Sequence, residues 1–229
     1  MEERTLLTTQ DGSHTIKSEQ FDATYHSIFG AVDESIHVFI MAGLDYLRLQ
    51  SPQKTQINVL EIGMGTGLNV WLAALWANTH HIQIDLVTIE KYPVRKEQYT
   101  MLNFADSIPS ISTEQAELIQ TIHSAEWGQK TQLTDYFSFT KYEEDVLEHQ
   151  YPKDHNDVIF FDAFAPNAQP ELWEPGFHSR LLDSLVKGGI LTTYCAKGVF
   201  KRMLKSIGYE LDQLPGPHRK HEMTRAVKS

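Results

Sequence analysis

Cysteine is almost missing from this chain, long apolar runs are missing altogether, and positive charge is in deficit. The single cysteine among 229 residues, Cys195, excludes an internal disulfide framework and fits a reducing compartment. No apolar stretch approaches the roughly 20 residues that span a bilayer. The opening MEERTLLTTQDGSH lacks the apolar segment of a secretory signal. The expectation is a soluble, cytoplasmic protein with no membrane partner. The eleven histidines show no zinc-type spacing, and His218-x-x-His221 comes without acids or cysteines, so no metal is expected. Repeats, low-complexity tracts and Pro/Gly/Ser linkers are also lacking, which leaves one α/β domain with room for an appendage.

Positive charge is scarce but unevenly spread. The whole chain has 20 Lys/Arg against 30 Asp/Glu, a formal net charge of -10 that argues against a nucleic-acid partner. Residues 176–229 reverse this balance, with ten Lys/Arg and only four Asp/Glu. An anionic partner on that side is one reading, and a solvated helix face around residues 187–205 is the other.

What is abundant is strand–helix alternation. INVLEI (57–62), HIQIDLVTIE (81–90), LTDYFSFTKY (133–142), NDVIFFDAF (156–164) and GGILTTY (188–194) read as strands, several buried on both faces. LNVWLAALWA (68–77), YPVRKEQYTML (92–102), a stretch within 107–132, a segment around 170–186 and VFKRMLKSIG (199–208) read as helices. YELDQL and HEMTRAV close the chain as two strands joined through PGPHRK. The pattern predicts a doubly wound, mostly parallel, seven-stranded Rossmann-like sheet with an antiparallel C-terminal hairpin. Residues 1–56 fall outside the repeat and are expected to form an N-terminal extension near the mouth of a domain spanning 57–229.

The first strand runs into VLEIGMGTGLN, where Gly63, Gly65 and Gly67 alternate after Glu61. Ligands of such sheets bind beyond the carboxyl ends of the strands, where strand order reverses. Glycines there let the backbone turn sharply and approach a ligand. The spacing is not the G-x-G-x-x-G of dinucleotide sites. E-x-G-x-G-x-G resembles the first motif of class I S-adenosylmethionine-dependent methyltransferases. That donor is cationic and has no pyrophosphate for a helix N-terminus, so acids suit it. Glu90 closes the second strand, placed to accept hydrogen bonds from ribose hydroxyls. Asp145 follows the aromatic strand and is a candidate for the adenine amino group, with Glu143 and Glu144 as alternatives. Asp162 ends the central strand and is the candidate catalytic residue, orienting an amine.

Six stretches carry a fuller resemblance: 21–44, EIGMGTGLN (61–69), EKYP (90–93), FFDAFAPNAQPELWEPGF (160–177), KGGILTTYCAKGVFKRML (187–204) and HRKHEM (218–223). Together they resemble the MnmC-type methyltransferase domain in its standalone form. The resemblance implies methyl transfer from S-adenosylmethionine to the amine of 5-aminomethyl-2-thiouridine at the wobble position of tRNA. It implies cofactor contacts at Glu61, the glycine turn with Thr66 and Asn69, Glu90 with Lys91, Asp145 and Asp162. It implies substrate contacts near Phe164, Pro166 and the Lys220–Glu222 segment, an anticodon stem-loop as partner, and a separate FAD-dependent oxidase acting upstream. On that resemblance, Phe164, Trp173 and Tyr194 are candidates for stacking on an unpaired base, with core packing as the other reading of each; Lys201 and Arg202 are then candidates for phosphate contacts. Two positions depart from the family pattern: His221 replaces a common arginine and Met64 a common aromatic. The rival readings are a small-molecule N-methyltransferase or polyamine-synthase-like aminopropyltransferase, and a non-catalytic tRNA-binding protein.

Overall fold

A computed structural model describes residues 4–217 and 222–229. The chain opens with a small antiparallel sheet of β1 (Arg4–Thr8), β2 (His14–Ser18) and β3 (Ala23–Thr24). A helix over residues 31–50, α1, follows, and its central Ile36–Asp45 is wound as a π-helix. The main sheet then forms from β4 (Gln56–Ile62), β5 (Gln83–Ile89), β6 (Thr131–Thr134), β7 (Phe137–Tyr142), β8 (Asn156–Phe161), β9 (Leu185–Thr193), β10 (Tyr209–Pro215) and β11 (Glu222–Lys228). The intervening helices are α2 (Leu68–His80), α3 (Lys96–Tyr99), α4 (Thr113–Ser124), α5 (Pro175–Ser184) and α6 (Gly198–Ser206).

The eight strands lie in the order β10-β11-β9-β8-β4-β5-β7-β6. From β9 to β7 all neighbours are parallel, while β11 pairs antiparallel with both β9 and β10. The expected α/β sheet and its C-terminal hairpin are therefore present. The eighth strand is β6, which pairs antiparallel with β7. The stretch 133–142, expected as one strand, breaks at Asp135–Tyr136 and folds back on itself.

Period-two alternation builds a core on each face of the sheet. Ile57 and Val59 of β4 join Val158 and Phe160 of β8 in the cluster that contains Phe39 of α1 and Trp71 of α2. Leu60, Ile62, Ile159 and Phe161 face the other way, toward Leu181 of α5 and Leu204 of α6. Burying such side chains contributes about 1.5–3 kcal/mol each. Residues 1–56 thus supply the small sheet and also, through α1, part of the main core.

Only one turn of the helix expected over 92–102 forms. Arg4 donates to the carbonyls of Tyr92 (2.8 Å) and Pro93 (3.1 Å), and Val94 packs with Ile16 and Tyr99 in a small separate cluster. These contacts with the N-terminal sheet hold the segment extended until α3 begins. The helical segment around 170–186 divides into a 3-10 turn, Pro170–Trp173, and α5.

Candidate active site

Strand order reverses between β4 and β8, so the carboxyl ends of these strands diverge there. Asp162 N donates to Ile62 O (3.1 Å) and Gly63 N to Ile89 O (3.0 Å), continuing the strand bonding into both loops. A cavity of about 520 Å³ opens at this edge. Its walls include Gly63, Gly65, Glu90, Lys91, Asp145, Asp162, Phe164 and Tyr194, which brings eight of the expected site residues into one space.

The turn between β4 and α2 depends on glycine. Gly63 has φ +87, and a Cβ there would stand 3.0 Å from the Asp162 carbonyl oxygen. Gly65 has φ +51, and a Cβ would strike the Tyr25 ring at 2.7 Å. The turn is thus pressed between β8 and the N-terminal segment, in a backbone region L side chains rarely adopt.

Glu90 is 9% exposed, and its two oxygens accept from Gly65 N (2.9 Å) and Tyr92 N (2.7 Å). Burial raises its pKa even against these two bonds. The carboxylate is a fixed post, with a further lone pair on each oxygen for a hydroxyl donor. Asp145 Oδ2 pairs with Lys91 Nζ (2.7 Å), while Oδ1 accepts from Leu147 N (2.9 Å). Partial burial would raise its pKa, but these partners hold it below the ordinary value. Of the three acids in this stretch only Asp145 faces the cavity; Glu144 is hydrogen-bonded to His149 at 2.8 Å.

Asp162 Oδ2 accepts from Asn69 Nδ2 at 2.9 Å, and Asn69 is itself 2% exposed. Tyr194 stands beside it, its hydroxyl donating to Ala163 O (2.9 Å). Burial first, and then the Asp162 charge, lift the phenol well above its ordinary pKa, so it stays protonated. Phe164 is held at the mouth: its N–H donates to Gln169 Oε1 (3.1 Å) and its ring stacks on Phe21 with centroids 4.8 Å apart. Tyr25 meets Phe164 edge-on at 5.0 Å.

Other expected residues lie beneath or away from the cavity. Glu61 is 0% exposed under the glycine turn, in a central strand covered on both faces, and Thr88 donates to it at 2.5 Å. Burial pushes its carboxyl up to about 8. Thr66 is buried and hydrogen-bonded to His26 Nε2 (2.6 Å), and Gly67 faces His123 on the α4 side. Pro166 lies in the β8–α5 loop outside the cavity lining. Trp173 is not presented to a base: it is 8% exposed, donates Nε1 to Phe164 O (2.9 Å), and packs against Phe161 and Phe200. Lys201 pairs with Glu222, removed from the cavity lining. Arg202 lines a separate depression of about 100 Å³ with Lys201, Lys205 and Asp212. Lys220, with His218 and His221, lies outside the described residues.

Eight cavity residues come from the N-terminal part of the chain, given no site role by the sequence, among them Tyr25, His26 and Glu34. Burial lowers the His26 pKa to about 4, leaving a neutral imidazole at neutral pH. Glu34, in the first turn of α1, accepts from Ser27 N at 3.0 Å. The available signal was a pair of acids, Asp33 and Glu34, near the start of the largely apolar run 29–44.

The donor set suits a cationic ligand with hydroxyl and amino groups, since acids dominate the walls and the glycine turn admits close approach. Comparisons with known proteins agree. A family model described as S-adenosyl-L-methionine-dependent methyltransferase matches residues 113–229, just over half of the chain. The tRNA 5-methylaminomethyl-2-thiouridine biosynthesis bifunctional protein MnmC of a Marinomonas species is 30% identical over 221 residues, covering 90% of this chain and 31% of that protein. Its counterpart from Methylobacillus flagellatus is 28% identical over 214 residues, covering 90% and 32%. The chain thus spans about a third of the length of these curated relatives. Among solved structures, MnmC2 from Aquifex aeolicus has a TM-score of 0.78 at 21% identity, covering 99% of this chain and 70% of that one. The CurJ carbon methyltransferase has a TM-score of 0.52 at 14% identity, covering 90% and 56%. At these identities the two structures establish the fold.

Proposed function

The chain belongs to the S-adenosyl-L-methionine-dependent methyltransferases, and from that premise we propose that it methylates the exocyclic amine of 5-aminomethyl-2-thiouridine at the wobble position of tRNA. The observation that carries the tRNA assignment is the 30% identity over 221 residues to a protein named for 5-methylaminomethyl-2-thiouridine biosynthesis. We place the reaction in the cytoplasm. An FAD-dependent oxidase, acting earlier, would expose the amine.

S-adenosylmethionine, when bound, supplies a methyl group already activated by a sulfonium. We assign Glu90 to its ribose hydroxyls and Asp145 to its adenine amino group, with the backbone of Gly63 and Gly65 against the rest. The protein's task is then orientation, which is worth ~7–11 kcal/mol when reacting atoms are held in line. Asp162 is fixed from one side by Asn69 and faces the cavity, where it holds the acceptor amine at a defined angle. The attacking nitrogen needs a free lone pair, and a carboxylate alone would favour the ammonium form. Asp162 is therefore a positioning group, and the apolar surroundings of Phe164, Ala163 and Tyr194 counter it by disfavouring charge. Arg202 and Lys205, on the basic C-terminal face, are the candidates for tRNA phosphates.

The test is direct. Incubation with labelled S-adenosylmethionine and tRNA bearing either aminomethyl or carboxymethylaminomethyl uridine, followed by digestion to nucleosides, yields labelled 5-methylaminomethyl-2-thiouridine from the first substrate only. Label on neither tRNA, with the donor bound, rejects the acceptor assignment.

A further inference from the structure

Glu61 belongs to the constellation of acids read from the sequence, yet it lies under the cavity rather than in its wall. Its side chain is fully buried, Thr88 donates to Oε2, and Oε1 receives no hydrogen bond. It forms no ion pair among the described residues, and the charged groups facing it, Asp162 and Glu90, are both acids. A buried anion in such company is heavily penalised. Beside it sits Asn69, whose Nδ2 donates to Asp162 and whose nearness to Glu61 opposes the burial effect on the Glu61 pKa. Asn69 Oδ1, like Glu61 Oε1, has no donor among the described residues, so a protonated Glu61 can supply one.

We infer that Glu61 serves the site as a neutral carboxylic acid, positioning it from beneath. It ties the end of β4 to β5 through Thr88 and steadies the Asn69 amide against Asp162, without gripping the methyl donor as an anion. Its carboxyl, pushed up to about 8 chiefly by burial, agrees with that geometry. The inference rests on family membership and not on the tRNA acceptor.

Glu61→Gln is the discriminating variant, because glutamine keeps the shape and the acceptor for Thr88 but cannot ionise. Calorimetry is expected to give a Kd for S-adenosylmethionine within about twofold of wild type. Thermal unfolding across pH gives the second readout. Between the ordinary 4.5 and about 8, the folded protein keeps a proton that the unfolded chain has lost. The unfolded state then binds fewer protons, so this contribution makes stability fall as pH rises through that window. The glutamine variant lacks it, so its Tm gains on wild type steadily from about pH 5 to pH 8. A Kd weakened tenfold or more, a Tm difference independent of pH, or a glutamine variant that does not fold would each overturn the inference. Neither readout needs an acceptor, so failure of the tRNA reading remains distinguishable. The link through Asn69 is read in the tRNA assay: Asn69→Ala lowers kcat about tenfold with donor Kd unchanged, and an unaltered kcat overturns it.

Discussion

At the cavity, Glu90 is buried and both its oxygens are engaged by backbone N–H groups, while the cations of the C-terminal part pair with exposed acids. Lys201 pairs with Glu222, Arg225 Nε donates to Asp212 at 2.8 Å, and Lys228 Nζ lies 2.7 Å from Asp154. The first arrangement holds charge in a place set by the sheet itself, and it does not relax when a ligand leaves. In the second, Arg225 and Lys228 are also held by the carbonyls of Ala42 and Leu185, while Lys201 has the exposed Glu222 as partner, a kind of pair that contributes little to stability and exchanges readily for other anions. A small cation must be gripped in one orientation, whereas a nucleic-acid backbone offers many equivalent phosphates. The two regions of charge suit those two tasks.

The comparison breaks most sharply at Glu90. Glu90→Ala would strip the acceptor from Gly65 N in the glycine turn and from Tyr92 N beyond β5 as well as from the ligand. Unpaired buried donors cost about 1–3 kcal/mol each, and the donor's Kd is expected to rise about 100-fold or more. Calorimetry with S-adenosylmethionine reads this directly. A change below about threefold would show that the glycine turn, and not the acid, holds the ligand.

The basic face answers more gently. Lys201, Arg202 and Lys205 line one depression, but only Lys201 has an ion-pair partner among the described residues, so Arg202 and Lys205 are the more informative pair to reverse. Arg202→Glu with Lys205→Glu is expected to raise the tRNA KM about tenfold and to flatten its salt dependence by about one unit of slope per lost contact. Donor affinity should not move. Unchanged tRNA kinetics would mark the face as merely solvated.

The same contrast explains what could be read from sequence. Six of the seven expected strands persist nearly as written, because buried strands are continuous apolar runs and their ends are marked by glycine or an acid. The acids Glu90 and Asp162 reach one cavity because parallel topology places strand ends there whatever the loops do. The break inside 133–142 was marked only by Asp135, a turn-favouring residue, because Tyr136 continues the aromatic pattern on its far side. The extended 92–95 segment owes its form to Arg4, 88 residues away, which no local pattern reveals. Tyr25, His26 and Glu34 were missed for a similar reason, since their arrival at the cavity depends on how the N-terminal sheet docks. Glu61 was read as a cofactor contact from its motif, but it is fully buried in a strand covered on both faces and stands outside the cavity lining.

Trp173 supplies the smallest and most selective test, because an aromatic beside a loop can serve either region. Its indole donates to the carbonyl of Phe164, the residue whose ring edges the cavity mouth, and its rings fill space between Phe161 and Phe200. Trp173→Phe keeps most of the apolar volume and removes that single hydrogen bond. The expected loss is about 1 kcal/mol, a fall in Tm of roughly 2–4 °C for a chain of this length. If Trp173 only props the loop, the tRNA KM stays at the wild-type value and kcat falls slightly as Phe164 loosens. A stacking platform would behave in the opposite way, because removing base–aromatic overlap weakens tRNA binding without touching the melting temperature. A raised KM with an unaltered Tm would therefore return Trp173 to the substrate surface, and with it the view that the loop is read by its side chains and not by its backbone.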